Sequence, residues 1–569
     1  VPRSSPPRRF PFCEDPAMNT AAPPAPHPEE QTLLEAQRKG GLALVMAYFK
    51  LSGPGWLQSA LTLGGGSLSS SLYLGVLAGT SLLWLQPVAM VLGIVMLSAI
   101  GYVTTSTGAS PFQAVNRQVN PVLGWGWALA SLLASLVWSM PQYSLATAVV
   151  QQNLLPGVVE GWPGKVLVVL LILGVSTAAT WSYGRGRMGV KLYEVILKVA
   201  VALIVACFIA VVITLSLSPQ GLPWQSLWKG FIPNPQSLLT PSEQYLPLLQ
   251  SVAEAHRSYW SDLIVQKQTD VLVSAAATAV GINMTFLFPY TLLRRKWGKA
   301  FRGFVIFDLG SGMLIPFVIA TSCVVIAAAT QFHVQPQPGL GPETAEQRMA
   351  AASPIQQREF QQLLNGRAAA GQSVAPAETP SFSPAERKLA ATLVTRDAFD
   401  LADSLQPLSG RSFANLVFGL GVLGMALSTI TLLMLASGLV ICEMFNLPAT
   451  GWTYRLATLT AAVGALGPFV WSKAAFWLAI PTSVFGFILL PLAYLTFLLL
   501  MNQRKVLGSE MPRGAGRWTW NSLMTLATAV AGCGSLIMVW KKGGPWGLAV
   551  VGLVAVAALW FHLRRGEGK

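Results

Sequence analysis

The chain alternates between long apolar runs and short polar segments. Twelve apolar runs lie near 54–79, 82–103, 122–150, 164–182, 190–215, 269–292, 303–329, 412–440, 453–472, 474–500, 518–540 and 545–563. Because the hydrocarbon core of a bilayer is about 30 Å thick, a helix of roughly 20 apolar residues is long enough to cross it. The pattern predicts an all-α polytopic membrane protein with twelve transmembrane spans, which we number in chain order.

Two of these spans are interrupted in the middle. Span 1 contains the glycine triplet 64–66, and each glycine costs a helix about 1 kcal/mol relative to alanine. Span 6 places Asn283 and Thr285 between Gly281 and Pro289. Non-helical backbone at membrane depth is tolerated where protein buries it or where it lines a wet cavity, and paired broken helices mark substrate sites in inverted-repeat transporters. We therefore expect spans 1 and 6 to be broken helices at corresponding positions of two five-span repeats.

The two breaks define the predicted substrate site. Its groups are freed backbone carbonyls, hydroxyls and one amide, and the predicted substrate-binding residues are Thr62, Gly64, Gly65, Gly66, Ser67, Asn283 and Thr285. Neutral oxygens suit a largely hydrated divalent ion, a monovalent cation or a small neutral or zwitterionic solute, whereas many transition-metal sites use sulfur or imidazole. The sequence therefore predicts neither a metal centre of the usual ligand chemistry nor a cofactor nor a catalytic residue.

Other polar residues within the spans are candidates for secondary roles. Gln142 in span 3 and Ser428, Thr429 and Thr431 in span 8 are candidates for lining the pathway. Glu194 and Lys198 lie four residues apart in span 5, which favours a structural or gating ion pair. Asp308 lies about two turns inside span 7, where a packing salt bridge with Arg302 is favoured over a proton relay.

Composition and charge narrow the class of protein. Hydrophobic residues make up 53% of the 569 residues and charged residues 11%, whereas a soluble domain has about 25% charged residues. The formal net charge is +15, but the basic residues lie mostly in loops after even-numbered spans, such as 294–302 and 504–517. By the positive-inside rule, we expect a multi-pass protein of the plasma (bacterial inner) membrane with both termini in the cytoplasm and no nucleic-acid partner.

The spans and loops divide the chain into seven segments. They are a disordered cytoplasmic tail (1–40), the first repeat (41–215), an outer loop (216–268), spans 6 and 7 (269–330), an extracytoplasmic insert (331–411), spans 8 to 10 (412–502), and a cytoplasmic loop with two accessory spans (503–569). The pattern predicts no role for the insert. A monomer or weak homo-oligomer in the lipid bilayer is expected.

Several short pieces of the sequence resemble the Nramp family of metal transporters. They occur in the family's order over most of residues 45–510, as Gly53-Pro54-Gly55, Ser59, Leu82-Leu83-Trp84, Tyr183-Gly184, Glu194, Asp308, Ser428-Thr429-Ile430-Thr431, Glu443-Met444-Phe445, Leu490-Pro491-Leu492 and the stretch from Asn502 to Gly508. The resemblance implies a LeuT-type fold of two inverted five-helix repeats and transport by alternating access.

The resemblance fails at the family's functional motifs. The Asp-Pro-Gly-Asn of the first span aligns with residues 64–67, which are Gly-Gly-Gly-Ser here. The Met-Pro-His of the sixth span aligns near residues 285–287, and the acidic pair of the third span near Pro141 and Ser144. The carboxylate, thioether and imidazole groups that the resemblance implies are therefore missing, and coupling to protons is not expected.

Three functional hypotheses follow. The first is a transporter that moves a small cation, above all a divalent metal ion with some of its water. The second is a carrier of an amino acid or a similar solute, whose carboxylate would be bound by the amino end of the half-helix after Gly66. The third is a membrane scaffold or sensor that has lost transport. An enzyme is not expected, because the spans contain no HExxH, no GxSxG and no acidic pair.

Overall fold

The computed structural model describes residues 28–182, 187–219, 221–340, 352–371, 382–396, 398–405, 411–470 and 475–567, and these ranges contain helices and no β-strand. The longer helices are α1 (Pro28–Lys39), α2 (Gly41–Leu51), α3 (Pro54–Thr62), α4 (Gly65–Ala78), α5 (Leu85–Thr107), α6 (Pro121–Val149), α7 (Gly161–Ser182), α8 (Arg187–Leu217), α9 (Glu254–Ala279), α10 (Ile282–Arg294), α11 (Arg302–Leu309), α12 (Ile315–Phe332), α13 (Pro354–Gly371), α14 (Pro384–Leu393), α15 (Arg411–Met444), α16 (Gly451–Thr458), α17 (Ala479–Met501) and α18 (Gly514–Glu567). Shorter helical segments are Pro111–Ala114, Val115–Val119, Val150–Leu154, Trp224–Gly230, Pro235–Leu238, Glu243–Tyr245, Leu246–Gln250, Lys299–Phe301, Gly310–Leu314, Ala398–Ala402, Asp403–Leu405, Leu459–Leu466, Gly467–Val470, Arg504–Leu507 and Gly508–Glu510.

The predicted spans correspond to helical segments. Among the described residues, eight helical stretches are long and apolar enough to cross a membrane, and the bent pair α3 and α4 makes up to a ninth. Predicted span 9 is divided into α16, the 3₁₀ segment Leu459–Leu466 and Gly467–Val470. Predicted spans 11 and 12 are the two helical halves of α18, which are separated by a kink at Gly544, where φ is 54° and ψ is −146°. The all-helical membrane architecture is confirmed.

Spans 1 and 6 are both broken, as predicted. The axes of α3 and α4 differ by 50°, and only Leu63 and Gly64 lie between the two helices. Gly64 has extended backbone angles (φ −91°, ψ −179°), so the helical ladder of hydrogen bonds stops there. In span 6, Val280 and Gly281 separate α9 from α10 and are also extended. Each break frees backbone groups in the interior of the bundle.

Large side chains pack around these breaks. The Trp127 ring of α6 is fully buried, with its centroid 4.6 Å from that of Phe286 (α10) and 5.1 Å from that of Phe497 (α17). Helices α4 and α12 approach closely at Gly75, where an added Cβ would lie 2.5 Å from the carbonyl oxygen of Val325. The broken helices are therefore held inside a shell of intact ones.

The two ends of the bundle are distinguished by the segments that they bear. We call the end that bears the basic loop 294–302 the inner end and the end that bears the insert the outer end. At the outer end, Arg396 of the insert is 4% exposed. Its guanidinium donates hydrogen bonds to Gln337 Oε1 (2.9 Å) and to the carbonyl oxygen of Gln335 (2.8 Å), and it stacks on the Phe332 ring at 4.6 Å. The insert is therefore anchored to the end of α12.

The insert also contacts the outer halves of both broken helices. The Tyr73 hydroxyl of α4 donates a hydrogen bond to the carbonyl oxygen of Arg396 at 2.6 Å. Lys267 of α9 donates to Glu359 Oε1 at 3.2 Å and to the carbonyl oxygen of Leu393 at 2.9 Å. The described part of the insert is thus an ordered cover over the outer ends of α4 and α9.

The buried position of Arg396 leads to a prediction about stability. Replacing it in Arg396→Ala removes the donor of the Gln337 side-chain oxygen, and Gln337 is 3% exposed, so the buried acceptor left without a partner costs about 1–3 kcal/mol. We expect a lower unfolding temperature for detergent-solubilised protein, measured by intrinsic fluorescence. Arg387→Ala is the matched control, because Arg387 belongs to the same insert but is exposed. An equal loss of stability in both variants would contradict the anchoring role of Arg396.

A second prediction concerns pH at the inner end. Hydrogen bonds from Lys299 (2.6 Å) and Arg302 (2.8 Å) lower the pKa of Glu510 from 4.5 to about 2. A lowered pKa stabilises the fold above the unfolded-state value and loses that contribution as the pH falls from about 4.5 towards 2. The difference in unfolding temperature between wild type and Glu510→Gln should therefore be largest above about pH 5 and smaller at about pH 3, because the pKa of Glu510 is about 4.5 in the unfolded chain and about 2 in the folded one.

Glu35→Gln, at an exposed position of α1, serves as the control for that titration. A Glu510→Gln difference that stayed constant over the same pH range would show that the two cations do not act on this carboxylate.

Candidate functional site

A small cavity of about 20 Å³ lies beside the break in span 1. This volume holds roughly one water molecule. Helices α3, α4, α6, α9, α15 and α17 contribute to its wall, and the polar side chains that line it are Thr62, Ser67, Gln142, Thr278, Thr429, Thr482 and Ser483. None of these side chains carries a charge, so the cavity is polar and formally neutral.

The glycine triplet lets neighbouring helices reach the break. An added Cβ at Gly64 would lie 2.2 Å from Thr429 Oγ1, and one at Gly65 would lie 2.8 Å from Gln142 Oε1. At Gly66 the nearest atom would be Gln142 Nε2, at 3.6 Å. A side chain at either of the first two positions would collide with a polar group of the cavity wall. The glycines therefore both open the helix and bring α6 and α15 against it.

Four of the six hydroxyl groups that line the cavity donate their protons to backbone carbonyl oxygens. Ser67 donates to the carbonyl oxygen of Gly64 at 2.9 Å, and Thr278, Thr429 and Thr482 donate to carbonyl oxygens of their own helices at 3.0, 2.9 and 2.8 Å. A hydroxyl has one proton to donate and two lone pairs to accept. With the protons engaged, these four hydroxyls retain only acceptor capacity for a ligand.

Gln142 adds an amide oxygen to this set. Its side chain is 3% exposed, and Oε1 has no hydrogen-bond partner in the structure. An unsatisfied buried acceptor costs about 1–3 kcal/mol, which makes it a good candidate for contact with a donor or a cation. The Thr62 hydroxyl lies 3.4 Å from the carbonyl oxygen of Ala279, a longer contact than those of the other hydroxyls.

Asn283 and Thr285 lie at the start of α10 but do not line this cavity. Asn283 Oδ1 accepts a hydrogen bond from the backbone N–H of Met284 at 2.9 Å, while its Nδ2 is buried without a partner. Thr285 Oγ1 accepts from Trp127 Nε1 at 2.9 Å and donates to the carbonyl oxygen of Ile282. The structure therefore places the span 1 group and the span 6 group of the predicted site in different surroundings.

The pathway candidates are also divided. Gln142 and Thr429 line the cavity, Ser428 lies 3.5 Å from the carbonyl oxygen of Ala60, and Thr431 donates to Leu427 within its own helix. Sequence reasoning missed Thr278, Thr482, Ser483 and Trp138, which belong to the cavity wall. The adjacent hydroxyls at 482 and 483 in an otherwise apolar span were the available signal.

Asp308 has a different partner from the one expected. Its carboxylate accepts hydrogen bonds from the backbone N–H groups of Gly53 (3.1 Å) and Gly55 (2.6 Å) and from the Ser52 hydroxyl. Arg302 pairs with Glu510 instead. The expected salt bridge is wrong because six residues along a helix leave the two side chains about 120° apart, so they point to different faces.

Asp308 is therefore a cap for the amino end of α3. The free amide groups of a helix start attract a carboxylate, and Pro54 at the first position of the helix is compatible with this geometry. An added Cβ at Gly55 would lie 2.2 Å from the backbone oxygen of Asp308. The Gly53-Pro54-Gly55 piece thus joins α3 tightly to α11 at the inner end.

Two further carboxylates, Glu194 and Glu443, lie in or beside the spans. The side chains of Glu194 and Lys198 lie outside the described residues. Glu443 at the inner end of α15 is 6% exposed and accepts a hydrogen bond from Ser110 at 2.8 Å; Ser110 also lies 3.0 Å from the hydroxyl of Tyr290 in α10. Among the described residues, no group of three or more His, Cys, Asp or Glu side chains is placed to hold a metal ion.

The architecture is similar to that of solved transporter structures. One is a crystal structure of an Eremococcus coleocola manganese transporter mutant, with a TM-score of 0.57 and 15% identity over 92% of this chain and 97% of that chain. Another is the Eremococcus coleocola manganese transporter in complex with an aromatic bis-isothiourea substituted compound, with a TM-score of 0.59 and 14% identity over the same shares, 92% and 97%. These likenesses show the fold. None of the curated proteins matches the sequence.

The sequence itself matches a family model over most of its length. The model describes natural resistance-associated macrophage protein-like (Nramp) proteins and matches residues 55–356 and 386–541, leaving out part of the insert. The match covers both broken helices and the walls of the cavity. The chain therefore belongs to the Nramp family of membrane transporters of divalent metal ions and has the family's LeuT-type fold.

Proposed function

We propose that the cavity beside the span 1 break is the transport site and that its passenger is a hard divalent cation such as Mg²⁺ or Mn²⁺. The observation that carries this proposal is the acceptor character of the cavity: four hydroxyls whose protons are engaged and one amide oxygen without a partner. Hard cations prefer oxygen ligands, and Mg²⁺ in particular keeps several waters when it binds. The protein resides in the plasma membrane with its inner end in the cytoplasm.

The backbone at the break also contributes partial charges to the site. α3 ends at Thr62 with its carbonyl groups directed towards the break, and the carboxyl end of a helix carries partial negative charge. The amino end of α4 begins at Gly65 and carries partial positive charge, which favours an anion. The side chains favour the cation, because the four lining hydroxyls with engaged protons present acceptors, which disfavour a carboxylate.

The size of the cavity sets a requirement for transport. A volume of about 20 Å³ has room for roughly one water-sized particle, which is smaller than a hydrated ion or an amino acid. Admission of an ion with part of its hydration shell requires the cavity to enlarge. The half-helices α3 and α9 are the elements whose movement would do this, since each ends at a break.

Two variants of the cavity wall, Thr429→Val and Gln142→Leu, test the transport site. In Thr429→Val the cavity loses one acceptor while the shape of the side chain is kept, and we expect initial rates of Mn²⁺ and Mg²⁺ uptake into proteoliposomes to fall about tenfold, as for a lost interaction of roughly 1.4 kcal/mol. Gln142→Leu should reduce uptake at least as much, because it removes the unpartnered amide oxygen.

The matched control is Thr321→Val in α12. Thr321 is also buried and also donates to a carbonyl oxygen four residues earlier, at 2.7 Å, but it does not line the cavity. Its variant should retain at least half of the wild-type rate. Equal rates for the Thr429 and Thr321 variants would place the transport site elsewhere.

A thermal-shift screen separates the cation from the amino acid. A ligand present at 100 times its dissociation constant stabilises the folded state by about 2.7 kcal/mol. We expect purified protein to be stabilised by millimolar Mg²⁺ or Mn²⁺ and not by amino acids, with the stabilisation lost in Gln142→Leu. Stabilisation by an amino acid alone would favour the solute carrier, and no ligand response of any kind would favour a scaffold or sensor.

A further inference from the structure

Helix α2 carries an apolar face that no other part of the described chain covers. Leu42, Val45, Met46 and Phe49 are 72%, 42%, 64% and 64% exposed. Their spacing of three, one and three residues places them within about 100° of one another around the helix. The four side chains therefore form a single exposed stripe along α2, which we call the α2 stripe.

The opposite side of α2 is fixed to the bundle. Tyr48 packs between Phe304 and Phe307 of α11, with ring centroids 5.2 and 4.9 Å away. Ala47 and Leu51 are buried. The orientation of the α2 stripe is thus set by packing.

The α2 stripe continues the membrane-facing surface of span 7. Phe49 at its end contacts Phe307 of α11 at 5.3 Å, and the neighbouring Ile306 of α11 is 43% exposed. Further along the same span, Ile315 and Ile319 of α12 are exposed as well. The exposed apolar side chains of span 7 therefore continue onto α2.

Basic residues flank the α2 stripe at both ends. Arg38 and Lys39 precede α2 and Lys50 closes it, and all three are exposed. An apolar face between cationic side chains is the pattern of a helix that lies in the interface of a membrane containing anionic lipids. The preceding helix α1 differs, because it docks on the bundle through Leu33, which is fully buried, and through a hydrogen bond from Trp297 Nε1 to Glu29 at 2.7 Å.

We propose that α2 is an interfacial anchor for anionic phospholipid at the inner end. The α2 stripe inserts among the acyl chains, and Arg38, Lys39 and Lys50 contact the headgroups. Because only Ser52 and Gly53 separate α2 from α3, the anchor ties the amino end of the inner half-helix to the lipid surface. The proposal does not depend on which ion or solute the protein transports.

The depth of α2 in the bilayer is measured directly. The full chain, with its five cysteines replaced and its thermal unfolding transition retained, receives a single cysteine at Met46→Cys and an environment-sensitive fluorophore. In vesicles of phosphatidylcholine and phosphatidylglycerol, we expect a blue-shifted emission that doxyl-labelled lipid quenches at least threefold more strongly than aqueous iodide does. Gln37→Cys, exposed on α1, is the matched control and should show the reverse order.

Two results would overturn the anchor. One is a fluorophore at position 46 that iodide quenches as strongly as at position 37. The other is equal lipid quenching at position 46 in pure phosphatidylcholine, which would remove the role of the three basic residues. Hydrogen exchange of the native protein provides a second measurement that needs no substitution: amides of residues 41–51 should exchange more slowly in anionic nanodiscs than in neutral ones, and identical rates would also contradict the proposal.

Discussion

The constraint on which this structure depends is that backbone polar groups inside a bilayer must find partners. Lipid offers no hydrogen bonds, so a helix can open at membrane depth only where protein or a wet cavity receives its free groups. The chain opens at Gly64 and at Gly281 and surrounds both breaks with intact helices. The position of the cavity and the identity of its walls follow from that requirement.

Each half of the broken first helix is secured at its far end. At the inner end, the Asp308 carboxylate binds the free amide groups at the start of α3. At the outer end, the Tyr73 hydroxyl of α4 binds the carbonyl oxygen of Arg396 in the insert. The insert therefore holds the outer end of α4, a structural role that its composition did not predict. Both attachments use hydrogen bonds to backbone groups, which depend on direction as well as on distance.

The wall of the cavity is built from neutral groups. It includes the backbone of Gly66 and the hydroxyls of Ser67 and Thr429. Neutral oxygens interact less strongly with a divalent ion than carboxylates do, so such a site releases its passenger more readily and leaves more of its water in place. The same hydroxyls donate hydrogen bonds to backbone carbonyl oxygens, so they can act towards a ligand only as acceptors.

The sequence by itself determined the membrane class, the spans and both breaks, because these depend on local composition: apolar length, glycine content and polar residues out of place. It also identified Ser67, Gln142 and Thr429 as site candidates. Tertiary structure decided the rest. Whether Thr285 faces a cavity or Trp127, and whether Asp308 meets Arg302 or the start of α3, depends on how helices distant in sequence rotate against each other. Local pattern carries no information about that rotation, since packing between intact helices sets it.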